Sequence, residues 1–146
     1  MRWISWSTHW NCVTNYSGRS VFDHISFGVL DFDRSTAFYD QALAPLGLRR
    51  LFDVPLDQSD GVKVTGYGDE RPRFWLAEEE ATKGMLHVAF EAKTRAAVDM
   101  FHAQGLLTGG TDNGAPGLRP HYHEAYYAAF LRDPDGHNIE AVCYLA

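Results

Sequence analysis

The sequence is poor in cysteine and in positive charge, and it lacks a long apolar run. Its two cysteines, Cys12 and Cys143, stand near opposite ends of the 146 residues, which excludes a disulfide framework and a CxxC metal site. Thirteen Lys and Arg against 19 Asp and Glu give a net charge of −6, which argues against nucleic acid or an anionic membrane as a partner. No segment has the roughly 18–20 apolar residues that span a bilayer, and there is no signal-peptide core. We therefore expect a cytoplasmic location, with neither nucleic acid nor a membrane as a partner.

The first 20 residues differ from the rest of the chain. They contain three of the four tryptophans, Trp3, Trp6 and Trp10, and show no period of 2 or 3.6 residues. This composition predicts a poorly ordered tail over residues 1–20. The remaining residues, 21–146, are patterned throughout and have the length of one domain.

A repeat divides the patterned part into two halves. The runs His24–Val29 and His87–Glu91 alternate like strands, and both have the form H-x-x-F. A helix is expected after each run. The first is capped by Asp31 or Asp33 and ends near Leu43, and the second runs from Thr94 to Gln104 with Gly105 just past its end.

Short strands complete each half. They are expected at Leu48–Val54, Val62–Tyr67 and Phe74–Ala77 in the first half, and at Tyr126–Arg132 and Asn138–Tyr144 in the second. Residues 108–117 are so rich in glycine that only Leu106–Thr108 is expected to be extended there, before a mobile lid. This order predicts an α+β fold of two tandem β-α-β-β-β modules, about 21–80 and 84–146. Their sheets would form a curved mixed sheet, with helices outside and a concave face for a ligand.

Three polar side chains fall on strand faces opposite the large apolar residues. They are His24, His87 and Glu140. Two neutral imidazoles and a carboxylate, with open coordination positions, form a donor set for Fe(II) oxygen chemistry and for Zn, Mn or Ni Lewis-acid chemistry. An unpaired buried Glu140 would be costly, so a metal site is predicted here. The alternative is Glu140 paired with Arg119 or Arg132 and no metal.

The penultimate strand is expected to bring a tyrosine to the same face as Glu140. Closing the last hairpin about Asp133–Gly136 pairs Ala129 with Glu140 and Tyr127 with Val142, which places Tyr127 in the same cavity as Glu140. We expect Tyr127 to orient the substrate in a catalytic role.

The loop before that strand is rich in donors and in aromatic rings. His121 or His123 is expected to act as acid or base, and Arg119 and Tyr122 are expected to contact the substrate. His137, beside the final turn, is expected to be exposed.

The chain from Val21 onward resembles the vicinal oxygen chelate superfamily, which is the group of glyoxalases, bleomycin resistance proteins and extradiol dioxygenases. The motifs that carry the resemblance are D-H-I-S-F-G-V at 23–29, D-R-S-T-A-F-Y at 33–39, H-V-A-F at 87–90 and R-D-P-D-G-H-N-I-E at 132–140. The resemblance implies the paired-module fold, a homodimer, and a divalent ion such as Fe, Mn, Ni or Zn. It also implies a substrate that chelates this ion through neighbouring oxygens, and it puts His24, His87 and Glu140 on metal-ligand positions.

One position departs from the family pattern. Glyoxalase-like members have a further ligand in the last strand of the first module, where this chain has Trp75, and an indole cannot ligate a metal. The resemblance therefore implies a three-ligand site, with Trp75 as a substrate contact, and disfavours lactoylglutathione lyase activity. We expect a metal-dependent enzyme of the dioxygenase or of the Lewis-acid lyase and isomerase type. The alternatives are a thiol transferase of the fosfomycin-resistance type and a metal-free binding protein of the bleomycin-resistance type.

Overall fold

The computed structural model describes residues 22–145, so the predicted tail lies outside the described residues. The elements of the first half are β1 Ile25–Val29, α1 Phe32–Ala42, a short 3-10 helix Ala44–Leu46, β2 Arg49–Asp53, β3 Val64–Gly68 and β4 Pro72–Glu78. Those of the second half are β5 His87–Glu91, α2 Arg95–Leu107, β6 Thr111–Leu118, β7 Tyr127–Arg132 and β8 Asn138–Cys143. No helix among these residues is long and apolar enough to cross a membrane.

Each half forms a four-stranded mixed sheet with one helix. The strand order is β1-β4-β3-β2 in the first sheet and β5-β8-β7-β6 in the second. In both sheets the first strand runs parallel to the last and the other pairs are antiparallel. The predicted α+β fold of two tandem β-α-β-β-β modules is confirmed.

The helices begin where the sequence predicts. The Asp31 side chain accepts the Arg34 backbone N–H at 3.0 Å, and the Thr94 side chain accepts that of Ala97 at 3.1 Å, so each satisfies a donor that the first turn leaves unpaired. The end of α2 was predicted too early. Gly105 lies inside α2, and the residue is a glycine because α2 packs so closely on β7 that a Cβ there would collide with Leu131.

One apolar core joins the two modules. It contains aromatic and aliphatic residues from both sheets and both helices, and α1 packs against α2. Phe27 in β1 and Val88 in β5 point into this core. The next residue in each direction along a strand points away from it, so both sheets have an outer face that the helices do not cover.

The glycine-rich segment of the second half is a strand, contrary to the prediction. β6 pairs with β7, with irregular register on both sides of Gly114, and Leu106 belongs to α2. These interruptions are bulges that glycine accommodates, and they explain why β6 lacks the alternation of an ordinary strand.

The predicted register of the last hairpin is wrong by one residue. Phe130, not Ala129, is opposite Glu140, and Tyr127 is opposite Cys143. The loop spans five residues because the Asp133 N–H donates to the carbonyl of His137 at 3.0 Å. His137 itself is only 5% exposed, so the expectation that it is exposed is also wrong.

Candidate functional site

The outer face of the second sheet carries a histidine and a carboxylate in contact. Nε2 of His87 lies 2.7 Å from Oε2 of Glu140. His87 begins β5 and its side chain is 45% exposed, whereas the Glu140 side chain, on the central strand β8, is 2% exposed. The alternative pairing of Glu140 with Arg119 or Arg132 is not what the structure has, because its two carboxylate oxygens contact other groups.

The second carboxylate oxygen of Glu140 is held by a tyrosine. The Tyr126 hydroxyl donates to Oε1 at 2.6 Å. Burial, together with the Glu140 carboxylate, raises the pKa of the Tyr126 hydroxyl, so this hydroxyl stays a donor at neutral pH. Sequence reasoning missed Tyr126 because a one-residue error in register exchanges the two faces of a strand.

His24 lies on the first sheet, just before β1. Its Nδ1 contacts Oδ1 of Asp23 at 2.8 Å, and Arg71 donates to Oδ2 of the same carboxylate at 2.8 Å. These two hydrogen bonds, that from His24 first, lower the pKa of Asp23. Because the contact to Asp23 uses Nδ1, Nε2 is the His24 nitrogen left for a further partner, as in histidines that bind metals.

The pair His87 and Glu140 fits two positions of a divalent ion. Donor atoms bound to one ion at about 2.1 Å lie roughly 3 Å from each other, and the two atoms here need to separate only slightly. Within residues 22–145 of one chain, however, no group of three or more His, Cys, Asp or Glu side chains is arranged to hold a metal. A single chain thus brings together two of the three predicted ligands, and His24 does not join them.

Trp75 has the predicted place in the first sheet. It lies on β4, opposite Ser26 of β1 and Gly66 of β3. Gly66 makes room for the indole, because a Cβ at that position would lie 2.8 Å from Trp75 Cζ3. Phe52 packs edge-on against Trp75 at 6.4 Å. This places an aromatic ring on the outer face of the first sheet.

The loop of residues 119–126 is linked to Glu140 through aromatic rings. Tyr126 packs edge-on against Tyr122 at 5.3 Å and against Tyr144 at 5.2 Å. His121 packs against Tyr122 at 4.2 Å, and His123 lies 5.9 Å from Tyr144. The exposed fractions of Tyr122 and Tyr144 are 63% and 53%, so both rings present surface next to Tyr126.

Hydrogen bonds fix the tautomer of one loop histidine and the position of the loop arginine. Nδ1 of His123 accepts the Ala125 N–H at 3.1 Å, so a neutral His123 carries its proton on Nε2. The Arg119 guanidinium lies over the Phe130 ring at 5.6 Å and donates to the carbonyl of Ala115 at 2.7 Å. The Phe130 ring is also 6.2 Å from the His87 ring, so the Phe130 ring lies between Arg119 and His87.

Tyr127 does not face Glu140. Its hydroxyl donates to Asp99 of α2 at 2.7 Å, and Arg95 lies over its ring at 5.3 Å. The hydrogen bond to Asp99 raises the pKa of Tyr127. The structure therefore places Tyr127 on the helix side of the sheet, and the tyrosine beside the carboxylate is Tyr126.

The fold and the motifs agree with comparisons with known proteins. The model of the Glyoxalase/Bleomycin resistance protein/Dioxygenase superfamily matches residues 21–141. A glyoxalase/bleomycin resistance protein from Albidiferax ferrireducens T118 is 31% identical, with 85% of this chain and 98% of that chain covered and a TM-score of 0.66. The chain belongs to this superfamily.

More distant structures share the fold. A glyoxalase/bleomycin resistance protein/dioxygenase family enzyme from Burkholderia phytofirmans is 19% identical, with 84% of this chain and 98% of that chain covered and a TM-score of 0.62. A glyoxalase I mutant from Zea mays is 20% identical, with 83% of this chain and 43% of that chain covered and a TM-score of 0.62. No curated protein matches the chain.

Proposed function

We propose that the protein is a metal-dependent enzyme that acts on a small molecule with neighbouring oxygen atoms. The observation that carries the proposal is the contact between His87 and Glu140: a buried carboxylate directs one oxygen to a half-exposed imidazole at 2.7 Å. A neutral imidazole and a carboxylate are ligands for Fe, Mn, Ni or Zn. The Glu140 side chain is 2% exposed and contacts the Tyr126 hydroxyl and the His87 imidazole, so a metal cation at this place would compensate a buried carboxylate.

The third ligand in this proposal is His24 of a second copy of the chain. Two observations support a homodimer. The described residues of one chain supply only two clustered ligands, and His24, just before β1, and His87, at the start of β5, are both exposed. If the outer face of one first sheet covers that of the partner's second sheet, each homodimer has two equivalent sites.

A bound ion of this kind would polarise a carbonyl or hold an enolate or catecholate oxygen. The chain's own residues would bind and orient the substrate. Tyr122, exposed beside Tyr126, and Trp75 of the second copy offer ring surfaces, and Arg119 offers a positive charge near Phe130. These three side chains would hold the substrate between the two sheets.

Proton transfer falls to the loop histidines in this proposal. His123 would donate from Nε2, because its Nδ1 already accepts the Ala125 N–H. His121 is exposed and would exchange protons with solvent. Tyr127 has no part in the proposal, because its hydroxyl is bonded to Asp99 on the helix side.

Elemental analysis of anaerobically purified protein tests the proposal. We expect about one equivalent of a transition metal per chain, lost in His87→Ala and in Glu140→Ala. Glu91→Ala is the matched control, because Glu91 is a carboxylate on the same face of β5 but is exposed; it should keep the metal. Iron together with oxygen uptake would favour dioxygenase chemistry. Wild-type protein that stays metal-free after reconstitution would favour a binding protein instead.

A further inference from the structure

The Tyr126 backbone is fixed at the base of the loop of residues 119–126. Its carbonyl accepts the Arg119 N–H at 2.7 Å, and its own N–H donates to the carbonyl of His123 at 3.0 Å. Tyr126 then enters β7 through Tyr127, whose partner is Cys143 of β8. The backbone that carries the Tyr126 ring is therefore tied both to the loop and to the strand that carries Glu140.

The ring of Tyr126 is fixed as well. Tyr122 and Tyr144 both pack against it edge-on, with interplanar angles of 69° and 79°. Edge-to-face pairs at this separation are favourable and restrict the rotation of the ring about its side-chain bonds. The hydroxyl is consequently aimed at Oε1 of Glu140, at 2.6 Å, by contacts that do not involve Glu140.

A carboxylate can bind an ion through either oxygen or through both. At Glu140 the two oxygens have different surroundings, because Oε1 accepts the Tyr126 hydroxyl and Oε2 faces Nε2 of His87. An oxygen that accepts a strong hydrogen bond is a poorer ligand, and the bond also stops the carboxylate from turning. The arrangement leaves Oε2, beside the His87 nitrogen, as the oxygen that a metal ion would reach.

We propose that Tyr126 is a positioning residue, which holds Glu140 so that it binds the metal through Oε2 alone. The inference rests on the proposed function and deepens it. Tyr126 also connects the carboxylate to Tyr122 and Tyr144, the exposed rings beside it. A substrate that moves these rings would change the hydrogen bond to Oε1, and with it how firmly the Glu140 carboxylate is held as a metal ligand.

The neighbouring tyrosine supplies a matched control for the test. Tyr126→Phe removes the hydroxyl that contacts Glu140 and keeps the ring between Tyr122 and Tyr144. Tyr127→Phe removes a hydroxyl one residue away, bonded to Asp99 on the opposite face. Both variants would be prepared in the full chain and titrated with Co²⁺, whose visible spectrum reports its coordination number and geometry.

We expect Tyr126→Phe to bind Co²⁺ between about 10-fold and 100-fold more weakly than the wild type, the usual effect of removing a hydrogen bond to a metal ligand. Its spectrum should shift toward a higher coordination number, because the released carboxylate can then bind through both oxygens. Tyr127→Phe should match the wild type in affinity and spectrum. A thermal unfolding curve for each variant separates loss of folding, which would leave the Co²⁺ spectrum of the folded fraction unchanged, from a change at the ligand.

Two results would overturn the inference, and they differ. If wild type binds Co²⁺ and Tyr126→Phe binds it with the same affinity and spectrum, Tyr126 does not position Glu140 and the metal site stands without it. If wild type binds no Co²⁺, both the positioning role and the proposed metal-dependent function fall.

Discussion

Trp75 and Glu140 occupy equivalent positions in the two modules. Trp75 on β4 is opposite Ser26 of β1, two residues after His24. Glu140 on β8 is opposite Ala89 of β5, two residues after His87. The two outer faces therefore carry histidines at equivalent positions, but at the strand position two residues further along only the second module has a carboxylate, Glu140, where the first module has Trp75.

The first prediction restores the missing carboxylate. Trp75→Glu should bind Zn²⁺ or Co²⁺ more tightly than the wild type, by roughly tenfold or more, because a fourth, anionic ligand joins the three ligands of the proposed site. Trp75→Gln is the control for loss of the indole, since it has the size of glutamate without the charge. Competition with a chromophoric chelator gives both affinities. Equal affinities of the two variants would show that position 75 does not face the ion.

His137 and Asp133 form a buried pair under the last turn. Nε2 of His137 is 2.9 Å from the carbonyl oxygen of Thr82, and Nδ1 is 2.9 Å from Oδ2 of Asp133. A carbonyl oxygen only accepts, so Nε2 donates. Asp133 also accepts the Tyr39 hydroxyl at 2.7 Å and the backbone N–H groups of Asp135 and His137. Both ring nitrogens of His137 have acceptors, an arrangement that favours the protonated ring and joins the last turn to the segment between the modules.

The pair of His137 and Asp133 should make the stability of the fold depend on pH. The hydrogen bond to Asp133 raises the pKa of His137, although burial opposes it. Since the folded-state pKa lies above the unfolded value of about 6.5, the stabilisation is complete below that pH and is lost as the pH rises through the raised pKa. Urea unfolding at a series of pH values from about 6 upward should show that the free energy of unfolding of the wild type falls as the pH rises.

Replacement of His137 separates its effect from that of other titrating groups. His137→Gln should be less stable than wild type by about 3 kcal/mol at pH 6, because a buried ion pair loses one member. The difference should shrink as the pH rises. His121→Gln, a change at an exposed histidine, should keep the wild-type slope. If His137→Gln also keeps that slope, His137 is neutral in the folded protein.

Gly105 gives a third prediction, on stability alone. Glycine inside an exposed helix costs up to about 1 kcal/mol relative to alanine, yet Gly105→Ala should destabilise the protein by about 1–3 kcal/mol through overpacking. The added Cβ would collide with Leu131 and come within 3.1 Å of Phe38 Cε2. Denaturant unfolding measures the change. Ala103→Gly, at an exposed position of α2, is the reverse control and should cost about 1 kcal/mol. A stabilised Gly105→Ala would mean that α2 can move away from β7.

Local signals made much of the fold predictable. The caps Asp31 and Thr94 and the alternation around His24 and His87 act over a few residues, so the sequence alone shows them. β6 could not be recognised in this way. It is a strand because β7 pairs with it across bulges at Gly114, and such pairing depends on residues distant in the chain.

The candidate site was predictable in its residue types but not in its faces. The hairpin of β7 and β8 was predicted with a loop of four residues, and the loop has five because Asp133 binds the backbone of His137. This single residue moves Tyr126 to the side of Glu140 and Tyr127 to the helix side. The signal available in the sequence was Asp133 at the start of the turn, since Asp side chains accept N–H groups from residues just beyond them.

In the proposed function, His24 of one copy completes the site of the other copy. The most direct test is the metal content of a heterodimer of His24→Ala and Glu140→Ala chains, co-expressed with different tags and isolated by tandem purification. Each variant alone should be metal-free. In a shared arrangement the heterodimer has one site with both substitutions and one intact site, so it should hold about one metal ion per two chains. A heterodimer as empty as its parents, beside a loaded wild type, would contradict a site built from two copies.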